Sequence, residues 1–275
     1  MRSCAAWAIS RGKTSSSSGI PARAEGYADL ARNVVSRNPD VIVAVTDPIA
    51  QAVRAASGTL PIVWIGGDPI LAGLATSLAR PGGNATGVTV YVRHEIWGKR
   101  LQILKEAVPP VSRVAFLQMR TDWSVDEEQL REAGRRLEIS VIPMLLGESI
   151  PAEYQRAFSE IVIERPNAII VSFDGSLVPY RQLIVELAEK NRYPVIYPWR
   201  EYLEAGGLMA YEVDLIELGR RMAEDVHEIL NGANPGDIPI YQPTKFEFLI
   251  NLKAANELGL TIPPSLLALA DEVIE

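Results

Sequence analysis

One phrase occurs twice in this chain and limits the folds open to it. "PDVIVAVTD" (Pro39–Asp47) lines up with "PNAIIVSFD" (Pro166–Asp174), pairing Asp47 with Asp174. Each is an apolar run rich in β-branched residues, entered by a proline and closed by an aspartate. A strand buried on both faces of a parallel sheet reads this way, because neither face alternates with polar residues. Each phrase is preceded and followed by a helix-period segment. Tyr27–Arg37 sets Leu30, Ala31, Val34 and Val35 on one face, and Ile49–Ser57 follows the first phrase; Glu153–Glu164 and Val178–Asn191 flank the second. A second strand then arrives in each copy, "LPIVW" (Leu60–Trp64) and "YPVIY" (Tyr193–Tyr197). Strand and helix in strict alternation argue for parallel sheets covered by helices. Two copies of the unit argue for two α/β lobes of similar topology.

Further elements fill the interval and the tail. Glu95–Val108 and Ser124–Leu137 read as helices, "RVAFL" (Arg113–Leu117) and "SVIPM" (Ser140–Met144) as strands. "GGLMAY" (Gly206–Tyr211) reads as a strand and Leu215–Leu230 as a long helix stopped by Asn231-Gly232. "IPIYQPTKFEFLIN" reads as two extended runs broken at Pro243, followed by a helix over Leu252–Leu258. The expected division is an unordered segment over 1–24, lobe 1 over 25–92 with 211–235 returning to it, and lobe 2 over 93–210 with 236–275 crossing back. By this count lobe 1 has too few strands, and its first strand–helix unit is expected to be missing.

Composition narrows the function classes. The formal net charge of −7 disfavours a nucleic-acid partner. The single cysteine, Cys4, excludes an intrachain disulfide. No apolar run reaches transmembrane length, and residues 1–20 show no signal-peptide apolar core. The fragment "GKT" (Gly12–Thr14) imitates the end of a phosphate loop, but Trp7 stands where that loop needs glycine. No metal-ligand spacing, nucleophile elbow or dinucleotide fingerprint is present, so no catalytic residue, metal or cofactor is expected. His94 and His227 are far apart in sequence and fall in different elements, and His227 lies inside a helix, where a surface or packing role is expected.

In open parallel sheets, ligands lie beyond the carboxyl ends of strands, where helix N-termini present N–H groups. That rule selects Thr46-Asp47, Gly66-Gly67-Asp68, the loop with Asp122 and Trp123, Asp174-Gly175-Ser176, and Trp199-Arg200-Glu201. Each aspartate also suits a helix cap, which is the commoner role. A carboxylate such as Asp174 suits an ammonium group; helix N-termini or Arg200 suit a carboxylate; Trp123, Trp199 or Tyr211 suit an apolar or flat ligand.

Four longer phrases carry a resemblance. "LARPGGNATGVT" (Leu78–Thr89), "KRLQILKEAVPPVSRVAFL" (Lys99–Leu117), "EAGGLMAY" (Glu204–Tyr211) and "QPTKFEFLINLKAANELGLTIPPSLLALADEVIE" (Gln242–Glu275) stand in family order. The chain resembles the substrate-binding proteins of bacterial ABC importers, of the tryptophan/tyrosine type with a periplasmic-binding-protein type I-like fold. The resemblance implies two Rossmann-like lobes joined by a hinge, closing on a small molecule such as an amino acid, aromatic ones included. It implies a periplasmic, non-enzymatic receptor whose partners are inner-membrane ABC permease subunits. By position the implied ligand wall is Thr46, Asp47, Gly67, Asp68, Asp122, Asp174, Trp199 and Tyr211, and the loop "QMRTDWS" at Asp122 departs from the usual Asn/Pro-rich run. The family pattern also starts earlier than this chain, and the residues before about Arg23 are expected to be out of frame with it. The alternative is a cytoplasmic small-molecule sensor using the same two-lobed fold, disfavoured by the lack of a preceding helix-turn-helix. An α/β enzyme would require a catalytic constellation that the sequence does not present.

Overall fold

A computed structural model of the chain describes residues 6–10, 13–16, 26–90, 95–109 and 111–275. The elements begin with β1 (Ala6–Ser10), β2 (Lys13–Ser16), α1 (Tyr27–Val35), β3 (Val41–Val45), α2 (Asp47–Ala56), β4 (Ile62–Gly66) and β5 (Ala85–Thr89). They continue with α3 (Glu95–Ala107), β6 (Arg113–Met119), α4 (Trp123–Leu137), β7 (Ser140–Leu146), α5 (Pro151–Glu164), β8 (Ala168–Val171) and α6 (Arg181–Lys190). The remainder are β9 (Val195–Tyr197), α7 (Arg200–Glu204), β10 (Met209–Val213), α8 (Leu215–Leu230), β11 (Phe246–Asn251), α9 (Leu252–Leu258), α10 (Pro264–Leu269) and β12 (Glu272–Ile274). The chain divides into two compact units, residues 1–92 with 213–245, and residues 93–212 with 246–275.

The first unit is built on a five-stranded sheet in the order β2-β1-β3-β4-β5. β3, β4 and β5 run parallel, Ile42 beside Ile62 and Trp64 beside Gly87. Gly87 has φ of 139°, and a Cβ there would collide with the Trp64 backbone, so this register requires glycine. The core is the residues the β-branched runs supply, Ile42, Ala44, Ile62 and Trp64, covered by Leu30, Val34, Ile49 and Val53 from the helices. Burying these side chains supplies about 25 cal/mol for each Å² of apolar surface removed from water.

Two expectations are corrected here. Residues 6–10 and 13–16, expected in an unordered segment, form strands: β1 pairs antiparallel with β3, and β2 antiparallel with β1. Ala6 and Ala8 face the core, 0% and 1% exposed, because small side chains at alternate positions let this strand lie close under the covering helices. Residues 236–245, expected with lobe 2, fall with the first unit. The backbone of Tyr241 exchanges hydrogen bonds with Gly87 and Thr89 at 2.8 and 2.9 Å, and Ile238 O accepts from the Thr86 hydroxyl at 2.8 Å. These bonds satisfy the open edge of β5. The phosphate-loop glycine Gly12, and also His94, lie outside the described residues.

The second unit carries a seven-stranded sheet in the order β12-β11-β10-β9-β8-β6-β7. The pairs β6–β7, β6–β8, β8–β9 and β9–β10 are all parallel, as the continuous apolar strands require. Its core gathers Trp97, Leu101, Leu104, Phe116, Ile170, Ile196 and Ile250. The helix expected over Val178–Asn191 is two pieces. Gly175–Tyr180 is a 3-10 turn holding Pro179, and α6 begins only at Arg181. Proline lacks the N–H that an α-helix would use at that point. His227 is exposed on α8, its ring beside Asn231 Nδ2 at 3.0 Å. Among the described residues no helix is long and apolar enough to cross a membrane.

Candidate functional site

Strand-end loops of the first unit place Thr46, Asp47, Gly67 and Asp68 side by side in the fold. Asp47 opens α2, and its carboxylate accepts from Trp64 Nε1 at 2.9 Å and from the Gly67 N–H at 3.1 Å. Burial pushes the Asp47 pKa up; the Gly67 and Trp64 bonds oppose that shift. A Cβ at Gly66 or Gly67 would run into this carboxylate. The glycine pair, expected to admit a ligand, therefore admits the chain's own Asp47. Asp68 is buried and accepts from the Ile70 and Leu71 N–H groups at 2.8 and 3.1 Å, so it caps the turn that follows. Thr46 is different. It holds φ of 90° and ψ of 149°, a conformation that β-branched residues avoid, and its buried hydroxyl has no hydrogen-bond partner.

The second unit brings Asp122 and Asp174 together. Asp122 stands at the start of α4 and makes no cap bond to that helix. Its carboxyl is raised to about 6, first by burial and then by the charge of Asp174, to which it is also hydrogen-bonded. Asp174 ends the loop after β8 and accepts from the Ser176 N–H at 2.8 Å. The like charges of Asp174 and Asp126 both act to raise Asp122. Asp126 itself is buried under Trp97 Nε1 at 3.1 Å and Gln118 Nε2 at 2.5 Å, which explains its place in the core.

A run of aromatic rings leads from these strand ends into the core of the second unit. Trp199, 8% exposed, meets Phe173 edge-on at 5.3 Å. Phe173 continues to Trp97 at 5.6 Å, Trp97 to Phe116 at 5.0 Å, and Phe116 to Trp123 at 6.1 Å. Tyr211 is half-buried and stacks on Phe246 at 5.4 Å. Such a ribbon is rigid and apolar, with edges that suit another ring. Arg200, one of the groups read as suiting a carboxylate, is taken by the chain's own acids. It pairs with Glu212 at 3.2 Å, Glu272 at 3.0 Å and Glu247 at 3.8 Å.

Sequence reasoning passed over Arg100. It lies on the apolar stripe of α3 with Trp97 and Leu104, three and four residues away, and is fully buried. A charge at an inward helical position was the available signal. Its guanidinium sits 4.5 Å over the Phe173 ring and 5.6 Å from Trp97. Among the described residues, no group of three or more His, Cys, Asp or Glu is arranged to hold a metal ion.

The family described as ABC transporter substrate binding protein matches residues 13–274. The chain belongs to that family. Its members bind solutes and are not enzymes. A tyrosine-binding protein of Clostridioides difficile (strain R20291) is 27% identical over 225 residues, 81% of this chain and 64% of that protein. The chain thus spans under two thirds of that relative's length. A Vibrio cholerae conserved domain protein superposes with a TM-score of 0.84 at 27% identity, covering 91% of this chain and 84% of the other. A Streptococcus pneumonia ABC domain solved in complex with L-Trp superposes with a TM-score of 0.83 at 25% identity, covering 92% and 84%. The fold is the two-sheet α/β architecture of periplasmic-binding-protein type I-like structures. The family match begins at residue 13, earlier than the region near residue 25 where the resemblance was expected to start.

Proposed function

We propose that this chain is the extracytoplasmic solute-binding component of an ABC importer, delivering an amino acid-like molecule to inner-membrane permease subunits. In this reading it works in the periplasm, and its lobes close on the ligand in the cleft expected between them. The observation that carries the ligand class is the Asp122–Asp174 pair. Two carboxylates sharing one site, one of them raised to about 6, gain most from an ammonium group. Phe173, next to Asp174 in the chain and half-buried, and Trp199 against it, suit an apolar or aromatic side chain. Relatives that take tyrosine and tryptophan support the same class.

A thermal-shift screen against the common amino acids tests this reading. Ligand that binds only the folded state raises the midpoint by mass action, and at a hundredfold excess over Kd the gain is about 2.7 kcal/mol. An amino acid that raises the midpoint in the parent, and fails to do so in Asp174→Asn, is the expected result. A flat response across the whole panel rejects the proposal.

A further inference from the structure

Arg100 leaves the second unit with an unmet demand for an anion. Its side chain is fully buried, and only Nη1 is satisfied, donating to Val171 O at 2.8 Å at the end of β8. Nε and Nη2 are both buried without a hydrogen-bond partner. Among the described residues no carboxylate stands within ion-pair distance of it. Burial draws its pKa down to about 9, and the nearby phenols of Tyr202 and Tyr211 only partly oppose this. The faces of Phe173 and Trp97 favour the cation but accept no N–H from the guanidinium edge. A buried charge in this state is costly, and it invites a partner that arrives from outside.

The two idle nitrogens are adjacent. Nε and Nη2 form the side edge of the guanidinium, the fork that takes both oxygens of one carboxylate through parallel hydrogen bonds. Tyr202 adds a third donor, since its hydroxyl is also buried without a partner. Tyr202 feels the charge of Asp174 as well, so this fork and the acidic pair serve the same end of the unit. Phe173 and Tyr211, both near the guanidinium, are half-buried rings.

We propose that Arg100 and Tyr202 form the carboxylate receptor of the ligand site, with Asp122 and Asp174 receiving the ammonium of the same molecule. The ligand class is then a zwitterionic α-amino acid, recognised at both charged ends by the second unit. The assignment rests on the amino acid reading given above.

Calorimetric titration of the whole chain separates the two ends. L-tyrosine carries both groups, tyramine lacks the carboxylate, and 3-(4-hydroxyphenyl)propionate lacks the ammonium; L-tryptophan, tryptamine and indole-3-propionate form a second set. The parent is expected to prefer the amino acid over the amine by about a hundredfold or more, since a site built for a polar group strongly rejects the analogue lacking it. Arg100→Gln should shrink that preference below about fivefold by weakening the amino acid alone, and Arg100→Lys should fall between. An amine bound within about threefold of the amino acid, or an unchanged preference in Arg100→Gln, overturns the assignment. Should Arg100→Gln fail to fold, the parent's own preference and its loss in Tyr202→Phe decide the question. Propionates bound as tightly as the amino acids, and weakened in Arg100→Gln, would support Arg100 while rejecting the ammonium reading. No binding of any of the four carboxylates would overturn it.

Discussion

The indole Nε1 of Trp64 donates to Asp47 Oδ1 across 2.9 Å, joining the end of β4 to the start of α2. The same carboxylate accepts the Gly67 N–H at 3.1 Å, so a single side chain fixes two successive strand-end loops. Burial raises the Asp47 pKa against the Gly67 and Trp64 bonds, and what those two donors need is an acceptor oxygen, which an amide also supplies. Asp47→Asn should therefore cost little. Asp47→Ala leaves the Trp64 and Gly67 donors unmet and should cost about 2 kcal/mol. Denaturant unfolding of the two variants checks the difference, and equal losses would count against it.

Asp122 gives a pH dependence of definite sign. Its pKa is about 6 in the fold against an ordinary value of 3.8, so the folded chain binds this proton more tightly than the unfolded chain. The associated stability is fully present below the ordinary value, declines as pH rises through the interval, and is lost above about 6. Asp122→Asn should raise the ligand-free midpoint at pH 7.5 by about 1 kcal/mol equivalent, after discounting for partial exposure, and flatten the decline between pH 4 and 6. Melting curves across that range measure it. A ligand-free variant less stable than the parent at pH 7.5 is the contrary result.

Thr46 stores strain. Its φ of 90° is one that glycine adopts freely, and its buried hydroxyl has no partner. Thr46→Gly should stabilise the chain by about 1 kcal/mol. If Thr46 belongs to the ligand wall, as expected from sequence, the same change should weaken amino acid binding. Stability and affinity moving in opposite directions mark a functional strain. A variant that loses stability would show that the conformation is not costly.

Arg200 is predicted to be structural. Its partner Glu212 is 3% exposed, with Arg200 supplying both a backbone and a side-chain donor. Arg200→Ala removes the opposing charge and the side-chain donor, leaves that buried carboxylate only the backbone N–H of residue 200, and should cost about 2–3 kcal/mol. Ligand affinity of the folded variant should stay within about threefold of the parent. A tenfold or larger loss of affinity without loss of stability would instead place Arg200 at the ligand.

Much of the fold was legible because parallel strands buried on both faces leave unbroken apolar runs. Val41–Val45, Ile62–Gly66 and Ala168–Val171 lie where those runs fall. β1 was not legible: Ala6-Trp7-Ala8-Ile9 is a short apolar run beside a serine-rich stretch, and it stands before the region where the family pattern was expected to begin. The strand-end rule selected loops, but residue type alone did not separate ligand groups from scaffold. Asp47 and Asp68 turn inward to hold backbone N–H groups, whereas Asp122 meets a second carboxylate from a loop distant in sequence. Only tertiary placement makes that distinction. Arg100 was hidden because a lysine–arginine pair on a helix ordinarily faces water; its register with Trp97 and Leu104 turns it inward.

The most direct measurement is the affinity of the chain for L-tyrosine and L-tryptophan by calorimetry at pH 7.5 and at pH 5. The ammonium requires ionised carboxylates, and Asp122 takes up its proton near pH 6. Saturable one-to-one binding at pH 7.5, weaker by about tenfold at pH 5 and with that dependence removed in Asp122→Asn, is the predicted result. Binding that is indifferent to pH, or no saturable heat with these and the other common amino acids, would contradict the account.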